Sequence, residues 1–205
     1  MRGRAKDEVD KAADRDAVST SLIEEVRARV ATDPEDGASR IDLARLYRER
    51  GDTELALEQL DVLLARDPED VELLVERGAA LAAAGRLVEA EKELRRAQRL
   101  DPDRGGTHTQ LGVLLFKRGL YREAEAELKR AIELDDRNGD AYFYRGEALN
   151  QLGRWDDALA MLERAVQFQP RNARAYYTMG IVYDRKHLRQ EAATMYRKAR
   201  DVGAA

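Results

Sequence analysis

The side chains suited to acid–base or metal chemistry are few in this sequence, and they do not converge. There are two histidines, His108 and His187, and no cysteine. Two imidazoles on distant stretches without a thiolate do not make a dedicated transition-metal site. Neither a metal nor a cofactor is therefore expected. The chain has no HExxH pair, no phosphate-cradling P-loop and no dinucleotide glycine signature. Its paired carboxylates, Asp135 with Asp136 and Asp156 with Asp157, stand where helices start or chains turn. There they favour the positive helix end rather than share a proton. Arg95, Arg96 and Arg99 sit amid Glu89, Glu91 and Glu93, a mixed charge pattern that reads as a solvated helix face. With 36 basic and 40 acidic residues, the net charge of −4 draws the chain toward neither nucleic acid nor anionic lipid. The sequence predicts no enzyme, and the chemistry left to it is binding.

The elements that would position a binding surface are helical. Apolar residues make up 43% and charged residues 37% of the 205 positions, enough for a core beneath much surface. Ala, Leu, Arg and Glu dominate, all strong helix formers, and runs of β-branched residues are missing. No stretch reaches the length of a membrane span. Met1 to Asp16 is charged throughout, unlike a secretory leader. The cysteine-free chain is expected in the cytoplasm, or in the periplasm if an export signal has been removed.

Four ladders of residues recur in one register. Ala56, Ala90, Ala124, Ala158 and Ala192 fall 34 residues apart. Ala44, Gly78, Gly112, Gly146 and Gly180 repeat the step, as do Gly51, Gly85, Gly119 and Gly153, with His187 in the fifth place. Pro34, Pro68, Pro102 and Pro170 form the fourth ladder, with Asp136 where one proline is missing. This period and pattern resemble the tetratricopeptide repeat family. The resemblance covers residues 37–205 in five units, 37–70, 71–104, 105–138, 139–172 and 173–205. The fourth carries the signature most fully, in Tyr142, Gly146, Leu149, Gly153, Trp155, Ala158, Leu162, Ala165 and Pro170.

The resemblance implies an all-α, right-handed solenoid of five helix-turn-helix units. The residues supply physical reasons. In the fourth unit Tyr142, Arg145, Gly146 and Leu149 fall on one side of a helix. Gly146 and Ala158 are small so that two helices can approach closely, and Gly153 suits a left-handed helix end. A lone unit cannot bury its apolar side, so neighbours stack. Ahead of them, residues 19–36 read as a capping helix, a degenerate half repeat with Leu22, Ile23, Val26 and Val30 on its packing side and a serine or threonine cap at 19–21. Residues 1–18 form a charged segment expected to be frayed or disordered. The last unit carries Arg189, Ala193 and Arg200 where the fourth has Trp155, Leu159 and Val166, a polar face suited to a terminal repeat.

In the resembled family the first helix of each unit lines a concave groove. At about 100° per residue these positions lie opposite the packing stripe. The expected partner site comprises Arg45, Gln110, Phe116, Phe143, Tyr144, Glu147, Asn150, Tyr177, Asp184 and Arg185. Phe143 and Tyr177 share one unit position and are expected to form a ladder of exposed rings, replaceable by alanine without loss of fold. Ala79, Ala82 and Ala83 read as a secondary depression. One subgroup of the family clamps a peptide carboxylate with lysine, asparagine and arginine. Ile41, Arg45, Glu76, Gly106 and Gln110 stand in those places here, so such a clamp is not expected. The reading is a non-catalytic bacterial adaptor or scaffold that holds a peptide segment or helix of a protein partner. The alternatives are a homo-oligomeric scaffold and the repeat fragment of a larger enzyme. Met1 and the polar last face are read against the fragment.

Overall fold

A computed structural model describes residues 20–203, and among them there are helices and no strand. The helices are α1 (20–32), α2 (Gly37–Arg50), α3 (Thr53–Leu64), α4 (Val71–Ala83), α5 (Leu87–Leu100), α6 (Gly105–Lys117), α7 (Tyr121–Leu134), α8 (Gly139–Gln151), α9 (Trp155–Phe168), α10 (Ala173–Arg185) and α11 (Arg189–Gly203). The charged segment expected to be frayed, residues 1–18, lies outside the described residues. The chain divides into two compact units, Met1–Glu93 and Leu94–Ala205, the division falling within α5.

In the first unit α3 packs on both α2 and α4, and α2 meets α4. Its core is aliphatic and includes Leu43, Leu57, Leu60, Leu74 and Leu81, all nearly free of solvent. Each such leucine stabilises the fold by about 1.5–3 kcal/mol relative to exposure. α1 contributes Ile23, Val26 and Val30 to the buried set. Leu22, expected beside them among the packing residues, is instead 41% exposed. The apolar stripe of α1 is thus narrower than expected, running through Ile23, Val26 and Val30 at helical spacing.

The second unit pairs α6 with α7, α8 with α9 and α10 with α11, and each pair packs on the next. α6 also meets α8, and α8 meets α10, so the first helices touch one another as well as their partners. The small residues earn close crossings. A Cβ on Gly146 would lie 2.7 Å from Leu162 Cγ and 3.2 Å from the Ala158 carbonyl oxygen, and one on Gly112 would lie 2.5 Å from Leu128 Cγ. Gly180 receives the Tyr196 ring in the same way.

The helix ends explain the glycine ladder and add another. Asp36, Asp70, Asn138 and Asn172 each accept a hydrogen bond from the backbone N–H three residues on, capping α2, α4, α8 and α10. This ladder too has a step of 34, broken by Arg104, which makes no side-chain cap. Gly51, Gly85, Gly119 and Gly153 all have positive φ, between 76° and 92°. His187 fills the fifth such turn at φ 61°. A side chain in the left-handed region costs about 1–2 kcal/mol, partly offset by the chain entropy that glycine loses. His187→Gly is therefore expected to stabilise the protein by about 0.5–1 kcal/mol, read as a rise of roughly 2–4 °C in Tm. An unchanged or lower Tm would mean that the imidazole makes compensating contacts.

The other histidine is structural. His108 is 6% exposed, with Nδ1 2.7 Å from Glu127 Oε2 and Nε2 2.8 Å from the Pro102 carbonyl. Arg95 reaches the other oxygen of Glu127 at 2.7 Å, and Gln98 donates to Glu127 Oε2 at 2.9 Å. The network ties the end of α5 to α6 and α7.

Candidate functional site

The second unit holds a cleft of about 860 Å³ between α8, α10 and α11. Asn150, Glu147 and Gln151 of α8 form one wall. Ala173, Arg174, Tyr177, Thr178, Ile181 and Arg185 of α10 form the floor, and Tyr196, Ala199 and Arg200 of α11 close the far side. Four of the ten residues expected from sequence, Glu147, Asn150, Tyr177 and Arg185, line it together.

Helix packing fixes each of them. Asn150 is 3% exposed, and its Oδ1 and backbone carbonyl accept from Arg185 Nη1 at 2.8 and 3.1 Å. Arg185 is thereby held across the wall. Glu147 accepts from the Thr178 hydroxyl, which joins α8 to α10 a turn earlier. Tyr177 stands out of the floor at 56% exposure, its ring 5.3 Å from that of Tyr196. Tyr196 is seated over Gly180 and donates its hydroxyl to Asp184 Oδ2 at 2.7 Å. Partial burial and then that bond push the Tyr196 phenol up to about 12, so it remains a neutral donor. The cleft therefore offers two phenol rings, a buried amide and three guanidinium groups, Arg174, Arg185 and Arg200.

Asp184, Gln110, Phe116, Phe143 and Tyr144 do not line the cleft. Asp184 is exposed and serves Tyr196. Gln110 is half-buried on α6. Phe116, Tyr144 and Phe143 form a contiguous edge-to-face row across α6 and α8, with ring centroids 5.9 and 5.0 Å apart. Arg174 of α10 lies over the rings of Phe143 and Tyr144 at 5.0 and 5.9 Å. The expected ladder of exposed rings at Phe143 and Tyr177 is not found. Phe143 is 3% exposed and belongs to the core with Leu149, Leu162 and Met179. The reason is that α8 has a first helix on either flank, α6 and α10, so positions opposite α9 are not all free.

Arg45 lies in the first unit, on α2, and it is not unattended. Glu76 and Glu72 of α4 accept from it at 2.7 and 3.1 Å, and Arg48 shares Glu76 at 3.0 Å. The Glu76 hydrogen bond, against some desolvation, raises the already high Arg45 pKa. The group is better described as a helix-to-helix tie than as a free donor.

Sequence reasoning missed Tyr196, Ala199 and Arg200, because it sought the groove on first helices alone. A signal was present. These three stand 34 residues after Leu162, Ala165 and Val166, which lie in or against the core cluster that α10 joins through Ala175, Met179 and Val182. Among the described residues, no group of three or more His, Asp and Glu side chains is placed to hold a metal, and no helix is long and apolar enough to cross a membrane.

This stack of capped helix pairs, close-packed at glycine and alanine, is a tetratricopeptide-type interaction fold. A family model described as tetratricopeptide repeat matches residues 41–104 and 109–173, and the chain belongs to that family. No curated protein matches it. Among solved structures it is similar to MamA, at 28% identity and a TM-score of 0.67, with 79% of this chain and 95% of that one covered. It is similar to YrrB, described as a TPR protein with an unusual peptide-binding site, at 27% identity and a TM-score of 0.62, over 88% of this chain and 93% of that one. A MamA structure from Desulfovibrio magneticus RS-1 shares the fold at 21% identity and a TM-score of 0.69, over 83% of this chain and 96% of that one.

Proposed function

We propose that this chain is a non-catalytic adaptor that holds a segment of a protein partner in the cleft between α8, α10 and α11. The observation that carries the reading is the chemistry of the cleft. An exposed ring, Tyr177, stands in a floor of Ala173 and Ile181, with amide and guanidinium groups on the rim. An aromatic anchor among polar groups is the usual composition of a binding hot spot. Several carboxylates elsewhere are held in ion pairs between helices, such as Glu125 with Arg145 at 2.7 Å. The peptide-binding site in the description of YrrB agrees with the reading. A cysteine-free chain of this composition suits the cytoplasm.

A displayed library of random peptides panned against the immobilised protein tests it. Peptides so selected are expected to lose about thirtyfold in affinity on Tyr177→Ala, the equivalent of about 2 kcal/mol at an aromatic anchor. Glu163→Ala, on the exposed side of α9, is expected to leave binding unchanged. Full affinity of the selected peptides for the folded Tyr177→Ala protein would place the site elsewhere, the alanine depression of α4 being the next candidate.

A further inference from the structure

The cleft repeats, one step along, the seat in which α10 itself lies. Ala173, Arg174, Tyr177, Ile181, Ala199 and Arg200 of the cleft stand 34 residues after Gly139, Asp140, Phe143, Glu147, Ala165 and Val166. In that earlier seat Phe143 and Ala165 share a core cluster with Ala175 and Met179 of α10. Glu147 accepts from Thr178, and Asn150 holds Arg185. The backbone mould of the cleft is thus one that already receives a helix, with a shallow apolar floor and a small residue, Ala199, in its lining.

Its charge is inverted. The acids of the earlier seat, Asp140 and Glu147, are replaced by Arg174 and Ile181, and Val166 by Arg200. The earlier seat, with its two acids, takes a helix that carries Arg174 and Arg185 against Asp184. In the present cleft Arg174, Arg185 and Arg200 stand against Glu147, which accepts from Thr178, and beyond the rim Asp201 lies 3.8 Å from Arg200, so basic groups still outnumber acidic ones. From Ala173 to Gly203 basic residues outnumber acidic ones seven to three, whereas acids prevail in the chain as a whole. Complementarity with such a rim favours an acidic partner and sets orientation more than raw affinity.

Resting on the reading above, we propose that the partner segment is an acidic amphipathic helix on another protein, bound as a further first helix against α10 and α11. Its apolar stripe lies on Tyr177, Ile181 and Ala199, and its flanking carboxylates meet Arg174, Arg185 and Arg200. Small residues on that stripe suit the shallow floor.

The test uses two fluorescent peptides of about twenty residues, both stapled as helices, with the same alanine and leucine stripe. One carries glutamate at every flanking position and the other lysine. Anisotropy titration against the full chain is expected to show the acidic helix binding at least tenfold more tightly, with an affinity that falls as salt is raised. Arg174→Glu with Arg200→Glu, checked for fold by circular dichroism, is expected to reverse the preference. Tyr177→Ala is expected to weaken the acidic helix without changing the sign of the preference. Equal binding of both helices, each lost on Tyr177→Ala, would overturn the acidic selectivity while leaving the adaptor reading intact. Binding of neither helix, alongside library peptides that do need Tyr177, would overturn the helical occupant. Dimerisation of the free protein by light scattering, abolished by Tyr177→Ala, would put a second copy in the seat and overturn the proposal.

Discussion

Phe143→Ala is expected to destabilise the protein by about 3–5 kcal/mol, the range for emptying a buried phenylalanine site. The ring is 3% exposed and lies in the cluster that joins α8 and α9 to α10. Its removal takes away transfer energy, leaves a void beside Met179 and strips Arg174 of one of the two rings it covers. Against a total stability of about 5–15 kcal/mol this is a large fraction, worth roughly 10 °C or more in Tm. Denaturant titration would measure it. Phe143→Leu, which keeps most of the volume, is expected to cost under about 1.5 kcal/mol. Tyr177→Ala, one repeat later, is expected to cost less than about 1 kcal/mol, because its ring is mostly solvated. Equal losses at the two positions would contradict the burial difference on which the assignment of the cleft depends.

Ala158→Trp is the second large effect. Ala158 is fully buried on α9, and its carbonyl is 3.2 Å from where Gly146 would place a Cβ. There is no room for an indole without parting α8 from α9, and overpacking of this kind costs about 1–3 kcal/mol or more. Because α8 and α9 are also the seat of α10, the loss propagates to the pair that forms the cleft. A broadened thermal transition with loss of peptide binding is expected. Ala158→Ser adds a single oxygen and is expected to retain the fold at a cost of about 1–2 kcal/mol, so that the two variants separate size from burial. A tryptophan variant with wild-type Tm would show that the helices can part at this crossing without penalty.

The repeat was legible in sequence wherever backbone geometry demands a residue type. Positive φ at Gly51, Gly85, Gly119 and Gly153, and the close approach of Leu162 to Gly146, leave few alternatives, so the ladders are kept. His187 shows that even a strained member holds its place. The cleft was only partly legible. Periodicity places Phe143 and Tyr177 at one unit position, but burial depends on which helix comes next, and that is not periodic. Phe143 is covered by α10, whereas nothing among the described residues covers Tyr177 to the same degree. Arg45 likewise looked available until Glu72 and Glu76 were seen to claim it, a pairing between residues about thirty positions apart that a single-helix wheel does not contain. The wheel locates faces, and the neighbours decide which of them are open.

The chain of pairwise contacts in the second unit has a temporal consequence. Among the described residues α11 packs on α10 alone, and α10 on α8, α9 and α11, while α8 and α9 are held from both sides. In such an array the opening free energy of a helix grows with the number of neighbours that must be released. Amide protons of α11 should therefore exchange with deuterium soonest, those of α10 next, and those of α8 and α9 slowest. Tyr196, Ala199 and Arg200 belong to the quickest helix and Asn150 to the slowest, so one wall of the cleft samples open states while the other stays fixed. A bound segment would slow exchange most in α11, and the length of that delay would report its residence time.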